Sequence, residues 1–185
     1  MNRNSFQKMH VVGVEDGSFQ KNVTKNALLV AVLVKGAKIE LTKAFKITAD
    51  GLDATERLSA NIHDWTFDAV LLSGVSFAGF NLIEPLKVFE AFGKPIIIVS
   101  ETRPDNKAVK KALRAHFEDW QTRWAIFEKL GSVHEIVTLF GKRPVYLEIV
   151  CANVEWASKL VCALAFWGRL PEPLRVARLI AHALS

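Results

Sequence analysis

Only two of the 185 residues are cysteines, Cys151 and Cys162. They supply neither a disulfide framework nor the close Cys/His pairs of a structural zinc site. A fold stabilised by several disulfides or by a structural zinc ion is therefore excluded. We expect free thiols in a reducing compartment, packed as small buried apolar residues.

Long apolar runs are also absent. The longest, residues 27–34 and 160–167, are far shorter than the roughly 20 residues that cross a bilayer. The polar start, residues 1–8, lacks the apolar segment of a signal peptide. Half of the residues are hydrophobic and 23% are charged, which is too apolar for a disordered chain and too charged for a membrane bundle. We therefore expect a cytoplasmic protein with one domain over residues 1–185.

Two common catalytic motifs are missing as well. Gly13 and Gly17 follow an apolar run without the third glycine and the helix of a phosphate-binding fingerprint. Ser73 and Ser76 do not form a nucleophile elbow with matching partners. Kinase, dinucleotide-binding and serine-hydrolase functions are therefore not indicated.

The first third of the sequence predicts three strands. Residues 11–15 and 27–34 are apolar, and residues 39–47 follow a Lys-Gly-Ala-Lys turn. Glycine at the first central position of a two-residue turn is typical of a type II′ hairpin, so the second and third strands should be antiparallel. The run at 27–34 is apolar on both faces, which indicates a central strand.

Beyond residue 50 the pattern changes to strands separated by helices, which is typical of parallel connections. Strands are predicted at residues 69–72, 95–99 and 145–150, and helices at residues 53–63, 83–92, 105–120, 122–130, 156–167 and 174–184. This order predicts an α/β fold with a ribonuclease H-like mixed sheet: three antiparallel strands, then parallel β/α units, flanked by helices. A flavodoxin-like sheet is the alternative, but it needs a helix between the first two strands.

Acidic residues occur at two element boundaries. Glu15 and Asp16 end the first strand, where a carboxylate can anchor a hard cation such as Mg²⁺, which needs only one or two protein oxygens. The alternative is a solvated turn before Gly17. Asp53 and Glu56 begin the first long helix, where a capping box between them explains Asp53 fully. Glu56 is a candidate ligand only if that helix turn faces the end of the first strand.

Cations gather on one side of the helix predicted at residues 105–120. Four of them recur at spacings of three, four and seven, with no acid on that side of the helix; we call this the basic helix face: Lys107, Lys110, Lys111 and Arg114. A solvated helix face is the alternative. The net charge of +5 favours a polyanionic partner, so the basic helix face is the candidate phosphate contact.

Aromatic residues follow the basic helix face at helical spacing. Bases could stack on Trp120, Trp124 and Phe127, although core packing is the more ordinary use of such a stripe. A smaller cationic edge lies on the last predicted helix, formed by Arg175, Arg178 and His182.

Three segments carry a family resemblance. Residues 12–19, 50–58 and 73–81 read VGVEDGSF, DGLDATERL and SGVSFAGFN. These segments resemble an archaeal family of uncharacterised proteins, a domain of unknown function numbered ninety-nine. The resemblance extends over nearly the whole chain. That family is distantly similar to endonuclease V, through the order of its elements and short echoes such as PVYL at residues 144–147.

The resemblance to endonuclease V implies a magnesium-dependent nuclease that cuts nucleic acid beside deaminated purines. Its first-strand aspartate falls on Asp16, or on Glu15 if the alignment slips by one, and its helix-start glutamate falls near Glu56. The resemblance places Ser73 at the aspartate that endonuclease V carries after its fourth strand, and Glu101 at the lysine after its fifth strand. Nothing before Glu56 resembles the Pro/Tyr wedge that opens the strand at the lesion. Losing one carboxylate and reversing one charge weakens the expectation of cleavage, unless Glu101 is a substitute ligand.

Three functional hypotheses follow. The first is a nucleic-acid-binding protein of endonuclease V-like fold, with a weakened Mg²⁺- or Mn²⁺-dependent nuclease site at Asp16, Glu15 and Glu56. The second is a non-catalytic binding or scaffold protein that retains the fold. The third is a small-molecule hydrolase that uses the same acids. Nucleic acid is the expected partner, no membrane is expected, and the sequence is compatible with a homo-oligomer.

Overall fold

The computed structural model describes residues 3–20, 23–140 and 142–185; residues 1 and 2 of the polar start lie outside them. Seven strands form a mixed sheet in the order β3-β2-β1-β4-β7-β9-β8, and two short strands, β5 and β6, form a separate hairpin. The strands are β1 His10–Asp16, β2 Asn26–Lys35, β3 Lys38–Thr48, β4 Ala69–Leu72, β5 Ser76–Phe77, β6 Asn81–Leu82, β7 Ile96–Ser100, β8 His134–Ile136 and β9 Val145–Val150.

Helices cover both faces of this sheet. They are α1 Arg3–Phe6, α2 Ala54–Ile62, α3 Pro85–Phe92, α4 Asn106–His116, α5 Trp120–Glu128, α6 Val154–Leu164 and α7 Glu172–Ala183. None of them, within the part of the chain that the structure describes, is long and apolar enough to cross a bilayer. The α/β class and the mixed, helix-flanked sheet are confirmed.

The predicted hairpin is present. β2 and β3 pair antiparallel and are joined by a two-residue turn, with Lys35 opposite Lys38. Gly36 has φ +60°, the left-handed conformation that glycine adopts at no steric cost. β1 pairs antiparallel with β2 on one side and parallel with β4 on the other. The antiparallel opening of the sheet therefore follows the prediction.

Two features of the sheet differ from expectation. β2 is second from the edge rather than central; it is apolar on both faces because α7 covers one face and the main core covers the other. β7 is parallel to β4, but β9 is antiparallel to β7 and does not continue the parallel half. The reason is β8, a short strand that the sequence did not reveal: it runs in the direction of β7, and β9 returns from it antiparallel.

Helix boundaries shift around residue 117. The helix predicted at 105–120 ends at His116, because Phe117 is extended and its ring meets Phe80 at 5.4 Å. The next helix accordingly begins earlier, at Trp120.

The thiols are free, as expected, but Cys151 is exposed in a turn with φ +59° and Cys162 is only half-buried, so the prediction that both are buried was wrong.

A close approach between α7 and β1 brings distant residues to the end of β1. A Cβ atom added at Gly13 would lie 2.3 Å from the backbone carbon and oxygen of Pro173, so only glycine allows this approach. The last helix is consequently seated directly on β1. Arg178, in the second turn of this helix, reaches the strand end, where the candidate acids lie.

Candidate active site

Asp16 occupies the last position of β1. Its Oδ2 accepts a hydrogen bond from the backbone N–H of Ala78 at 2.6 Å. Burial raises the pKa of Asp16 to about 6, and the neighbouring Glu15 carboxylate adds to the rise, while the Ala78 hydrogen bond opposes it. Two acids at one strand end thus compete for negative charge, an arrangement that is frequent where acids act chemically or hold cations.

Glu15 is buried and held from both sides. Ser73 Oγ donates to Glu15 Oε1 at 2.7 Å, and Arg178 Nε donates to Oε2 at 3.0 Å. At this position the resemblance to endonuclease V implies an aspartate. Ser73 instead donates its hydroxyl to Glu15, whereas an ionised aspartate could only accept.

Glu101, at the end of β7, lies between two arginines. Arg178 Nη1 contacts its Oε1, and Arg169 Nη2 donates to Oε2 at 2.6 Å. Burial opposes ionisation of Glu101, but the hydrogen bonds and charges of Arg178 and Arg169 outweigh it and lower the pKa. The negative charge of Glu101 is therefore offset by two guanidinium groups, one of which also contacts Glu15.

These side chains line a common cleft of about 530 Å³. Its walls are formed by the end of β1 and the residues after it, by the end of β7, and by α7: Glu15, Asp16, Gly17, Ser18, Phe19, Glu101, Arg178 and His182. The cleft contains carboxylates and a guanidinium side by side. This combination can hold a cation and also contact a phosphate.

Glu56 lies on the exposed first turn of α2. The predicted capping box was wrong, because Asp53 makes no capping hydrogen bond and accepts from Asn81 Nδ2 at 2.5 Å instead. Asn81 Oδ1 accepts from Ala54 N–H at 2.9 Å and so satisfies the helix start. Glu56 therefore takes no part in capping α2. Its role as a metal ligand shared with Asp16 stays a prediction.

Among residues 3–20, 23–140 and 142–185, no group of three or more His, Cys, Asp or Glu side chains is close enough to hold a metal ion by itself. The acid pair Asp16 and Glu15 is sufficient for Mg²⁺, since this ion needs only one or two protein carboxylates, keeps several waters and often takes its other ligands from substrate phosphates. A site of this kind would be completed by substrate.

The basic helix face is a real surface feature. Its four cations line a shallow groove of about 460 Å³. One acid approaches from the neighbouring helix, since Glu128 Oε1 lies 3.9 Å from Lys110 Nζ. The expectation of a face free of acid therefore holds for α4 alone and not for the surface that α4 shares with α5.

The aromatic stripe on α5 joins core and surface. Phe127 is buried, whereas Trp120 and Trp124 are partly buried against the main core. Lys110 Nζ lies 4.6 Å from the Trp124 ring centre, and the Arg114 guanidinium lies 5.2 Å from that of Trp120. Two cations of the basic helix face, Lys110 and Arg114, thus pack on the two indole rings in cation–π contacts.

Three groups that hold the cleft residues or their surroundings in place were not predicted from the sequence. The Ala78 N–H donates to Asp16, Arg169 donates to Glu101, and Arg123 of α5 is buried beneath the loop that contains Ala78. Arg123 Nη1 donates to the backbone oxygens of Gly51 at 3.0 Å and Phe80 at 2.6 Å, which fixes the loop that contains Ala78. A cationic edge on the last helix was visible in the sequence, but nothing there connected Arg178 to Glu15.

Comparison with known proteins gives a consistent result. Residues 7–185 match a family described as Endonuclease dU. A UPF0215 protein of Pyrococcus furiosus is 35% identical over 184 residues, which covers 96% of this chain and 93% of that protein. The predicted resemblance to an archaeal family is confirmed in that form, whereas its numbering as domain ninety-nine is not.

Solved structures show the same relationship at the level of the fold. A protein of unknown function from Archaeoglobus fulgidus superposes with a TM-score of 0.85 at 28% identity, covering 96% of this chain and 98% of that one. Endonuclease V of Ciona intestinalis, in complex with DNA containing an inosine followed by a ribo-adenosine, gives a TM-score of 0.56 at 14% identity, over 91% of this chain and 82% of that chain. The fold is endonuclease V-like.

Proposed function

This chain belongs to the family described as Endonuclease dU, and from that premise we propose that it is a divalent-metal-dependent nuclease that cuts nucleic acid containing deoxyuridine. The observation that carries the proposal is the acid pair Asp16 and Glu15 at the end of β1, within a cleft that also contains Arg178. Deoxyuridine is deaminated deoxycytidine, so the substrate is again a deaminated base, although a pyrimidine rather than the purine that endonuclease V implies.

The donor set fits a hard cation. Burial and the charge of Glu15 both raise the pKa of Asp16, which means that the two ionised carboxylates repel each other and that a cation bound to both would relieve this repulsion. Asp16 and Glu15 would hold Mg²⁺ or Mn²⁺ together with water and substrate oxygens, whereas Glu56 is exposed on α2 and does not line the cleft. When bound, such an ion polarises a phosphoryl oxygen and lowers the pKa of a coordinated water.

The remaining side chains orient the acids and neutralise charge. The Ala78 N–H fixes Asp16, while Ser73 and Arg178 fix Glu15. Arg178 keeps further N–H groups beyond the two that contact Glu15 and Glu101, and it lies in the wall of the cleft. We assign it the contact to a phosphate oxygen, the electrostatic task that a lysine at position 101 would otherwise perform.

The second candidate function is a binding protein without catalysis. Its support is specific: both carboxylate oxygens of Glu15 already accept hydrogen bonds, from Ser73 and from Arg178. Such a protein would bind a deoxyuridine-containing strand through the basic helix face and leave it intact.

Cleavage of matched strands tests the proposal. Two labelled oligonucleotides that differ only in one deoxyuridine or thymidine are incubated with excess protein, in Mn²⁺, Mg²⁺ or EDTA. We expect metal-dependent cleavage of the deoxyuridine strand alone, lost in Asp16→Asn and kept in Glu90→Gln, which removes an exposed acid from α3, the helix that leads into the start of β7. Tight binding with no cleavage in any metal would establish the binding protein instead.

A further inference from the structure

A second cleft, of about 300 Å³, adjoins the acid-lined cleft. The two share Glu101, and the second is otherwise lined by residues after β7, by the start of β9 and by the loop before α7: Thr102, Arg103, Arg143, Pro144, Tyr146 and Arg169. Three arginines against one acid make it strongly cationic. Its volume lies at the small end of the range, roughly 300 to 1,000 Å³, that is usual for small-molecule sites, which suits one nucleotide unit rather than a duplex.

The three arginines differ in how firmly they are held. Arg169 donates to the Glu101 side chain and, through Nη1, to the backbone oxygens of Glu101 at 2.8 Å and Pro144 at 3.2 Å. Arg103 and Arg143 are exposed, and neither forms a hydrogen bond or ion pair with any residue in the described ranges. One guanidinium is therefore preorganised, and two are free to bind an anion from outside.

Tyr146 adds a flat aromatic wall to this cationic cleft. It lies opposite Ser100 in the pairing of β7 with β9, so it stands at the same end of the sheet as the acid pair. It is only partly buried. Arginines bind phosphate through paired N–H groups, and an aromatic face stacks any base. The two features together match a nucleotide with its phosphate.

We propose that the cleft of Arg103, Arg143, Arg169 and Tyr146 binds one nucleotide of a single strand next to the point at which the acid pair acts. Arg103 and Arg143 contact the phosphate, and Tyr146 stacks on the base without selecting its identity. This inference deepens the proposed function and rests on its nucleic-acid part, but it does not require cleavage.

A fluorine label on tyrosine tests the inference directly. Tyr146 is the only tyrosine in the chain, so protein labelled with 3-fluorotyrosine gives a single ¹⁹F resonance. Pentathymidylate should shift this resonance, because ring stacking changes the shielding of the fluorine, and inorganic phosphate should not reproduce the shift. Anisotropy measurements with pentathymidylate that carries a fluorescent dye give the affinity in parallel.

Variants separate the contributions of charge and ring. Arg143→Ala should weaken binding of pentathymidylate about tenfold and flatten its salt dependence, whereas Lys142→Ala, which removes an adjacent exposed charge outside the cleft, should change it by less than about threefold. Tyr146→Leu should cost about tenfold, and Tyr146→Phe should restore the affinity.

Three results would overturn this site. Binding of pentathymidylate with an unmoved fluorine resonance would place the strand elsewhere and leave the proposed nuclease intact. Failure of pentathymidylate to bind would remove the nucleotide site. An equal shift with polyglutamate would assign the cleft to an acidic peptide. A shifted resonance together with no cleavage of any deoxyuridine strand would instead refute catalysis and keep the site.

Discussion

Replacing Asp16 by asparagine should stabilise the protein at neutral pH. In the folded chain the pKa of Asp16 is raised from 3.8 to about 6, so the folded state binds this proton more tightly than the unfolded state does. Folding stability from this residue is therefore present below the unfolded value near 4 and is lost as the pH rises through about 6. Asparagine keeps the shape and can still accept from the Ala78 N–H, but it never ionises.

The size of the effect follows from the shift. Each pKa unit corresponds to about 1.36 kcal/mol, so a change of about two units corresponds to an upper limit near 3 kcal/mol at pH 7.5. We expect Asp16→Asn to gain roughly 2 to 3 kcal/mol there, or about 5 to 10 °C in Tm for a chain of this length, and almost nothing at pH 4.

Urea unfolding in EDTA, at pH 4 and pH 7.5, measures this difference. Glu135→Gln is the matched control, because it removes an exposed acid on the edge strand and should change stability equally little at both pH values. A gain for Asp16→Asn of equal size at both pH values, or a loss at pH 7.5, would refute the reasoning. Adding Mn²⁺ at pH 7.5 should stabilise the native sequence and not the variant.

Four further predictions concern other parts of the molecule. Replacing all four cations of the basic helix face by alanine should weaken binding of all sequences alike and reduce the salt slope for a single strand by about 2 to 3, measured by anisotropy in a KCl series; an unchanged slope would move the interface elsewhere. Gly13→Ala should cost roughly 3 kcal/mol in urea unfolding, because its Cβ would strike the Pro173 backbone, and a neutral result would contradict the close seating of α7. Arg123→Met should cost roughly 2 to 4 kcal/mol in the same assay, because two backbone oxygens lose a charged donor; a loss below about 1 kcal/mol would mean that water replaces it. Burial raises the pKa of Glu148, so Glu148→Gln should raise Tm at pH 7.5 and not at pH 4, and a Tm gain at pH 4 would contradict the assignment.

Local patterns predicted most of the fold. The turn at Gly36 correctly predicted that β2 and β3 pair antiparallel. The apolar runs predicted the first and last residues of β4 and β9 correctly. β8 was missed because three residues, His-Glu-Ile, carry no recognisable period. The direction of β9 depends on β8 and was lost with it. A strand's direction is a tertiary property, so it cannot be derived from the apolar pattern of the strand itself.

The candidate site was predictable only in part. Asp16 and Glu15 stood out because acids at a strand end reach the rim of a sheet. Their partners come from far along the chain: Ser73 is 58 residues and Arg178 163 residues away from Glu15. Neither the pairing of Arg178 with Glu15 nor its contact with Glu101 leaves a sequence signal, because both depend on how α7 lies on β1.

Binding of manganese is the most direct test of the claim that the acid pair holds a divalent ion. Calorimetry at pH 7.5, with a deoxyuridine-containing strand present, should show one Mn²⁺ bound per chain in the native sequence and in Glu90→Gln, which removes an exposed acid from α3. Asp16→Asn and Glu15→Gln should each weaken this binding at least about tenfold, since each removes one of two anionic ligands. Equal Mn²⁺ affinity in all four proteins, or none in the native sequence, would contradict the account.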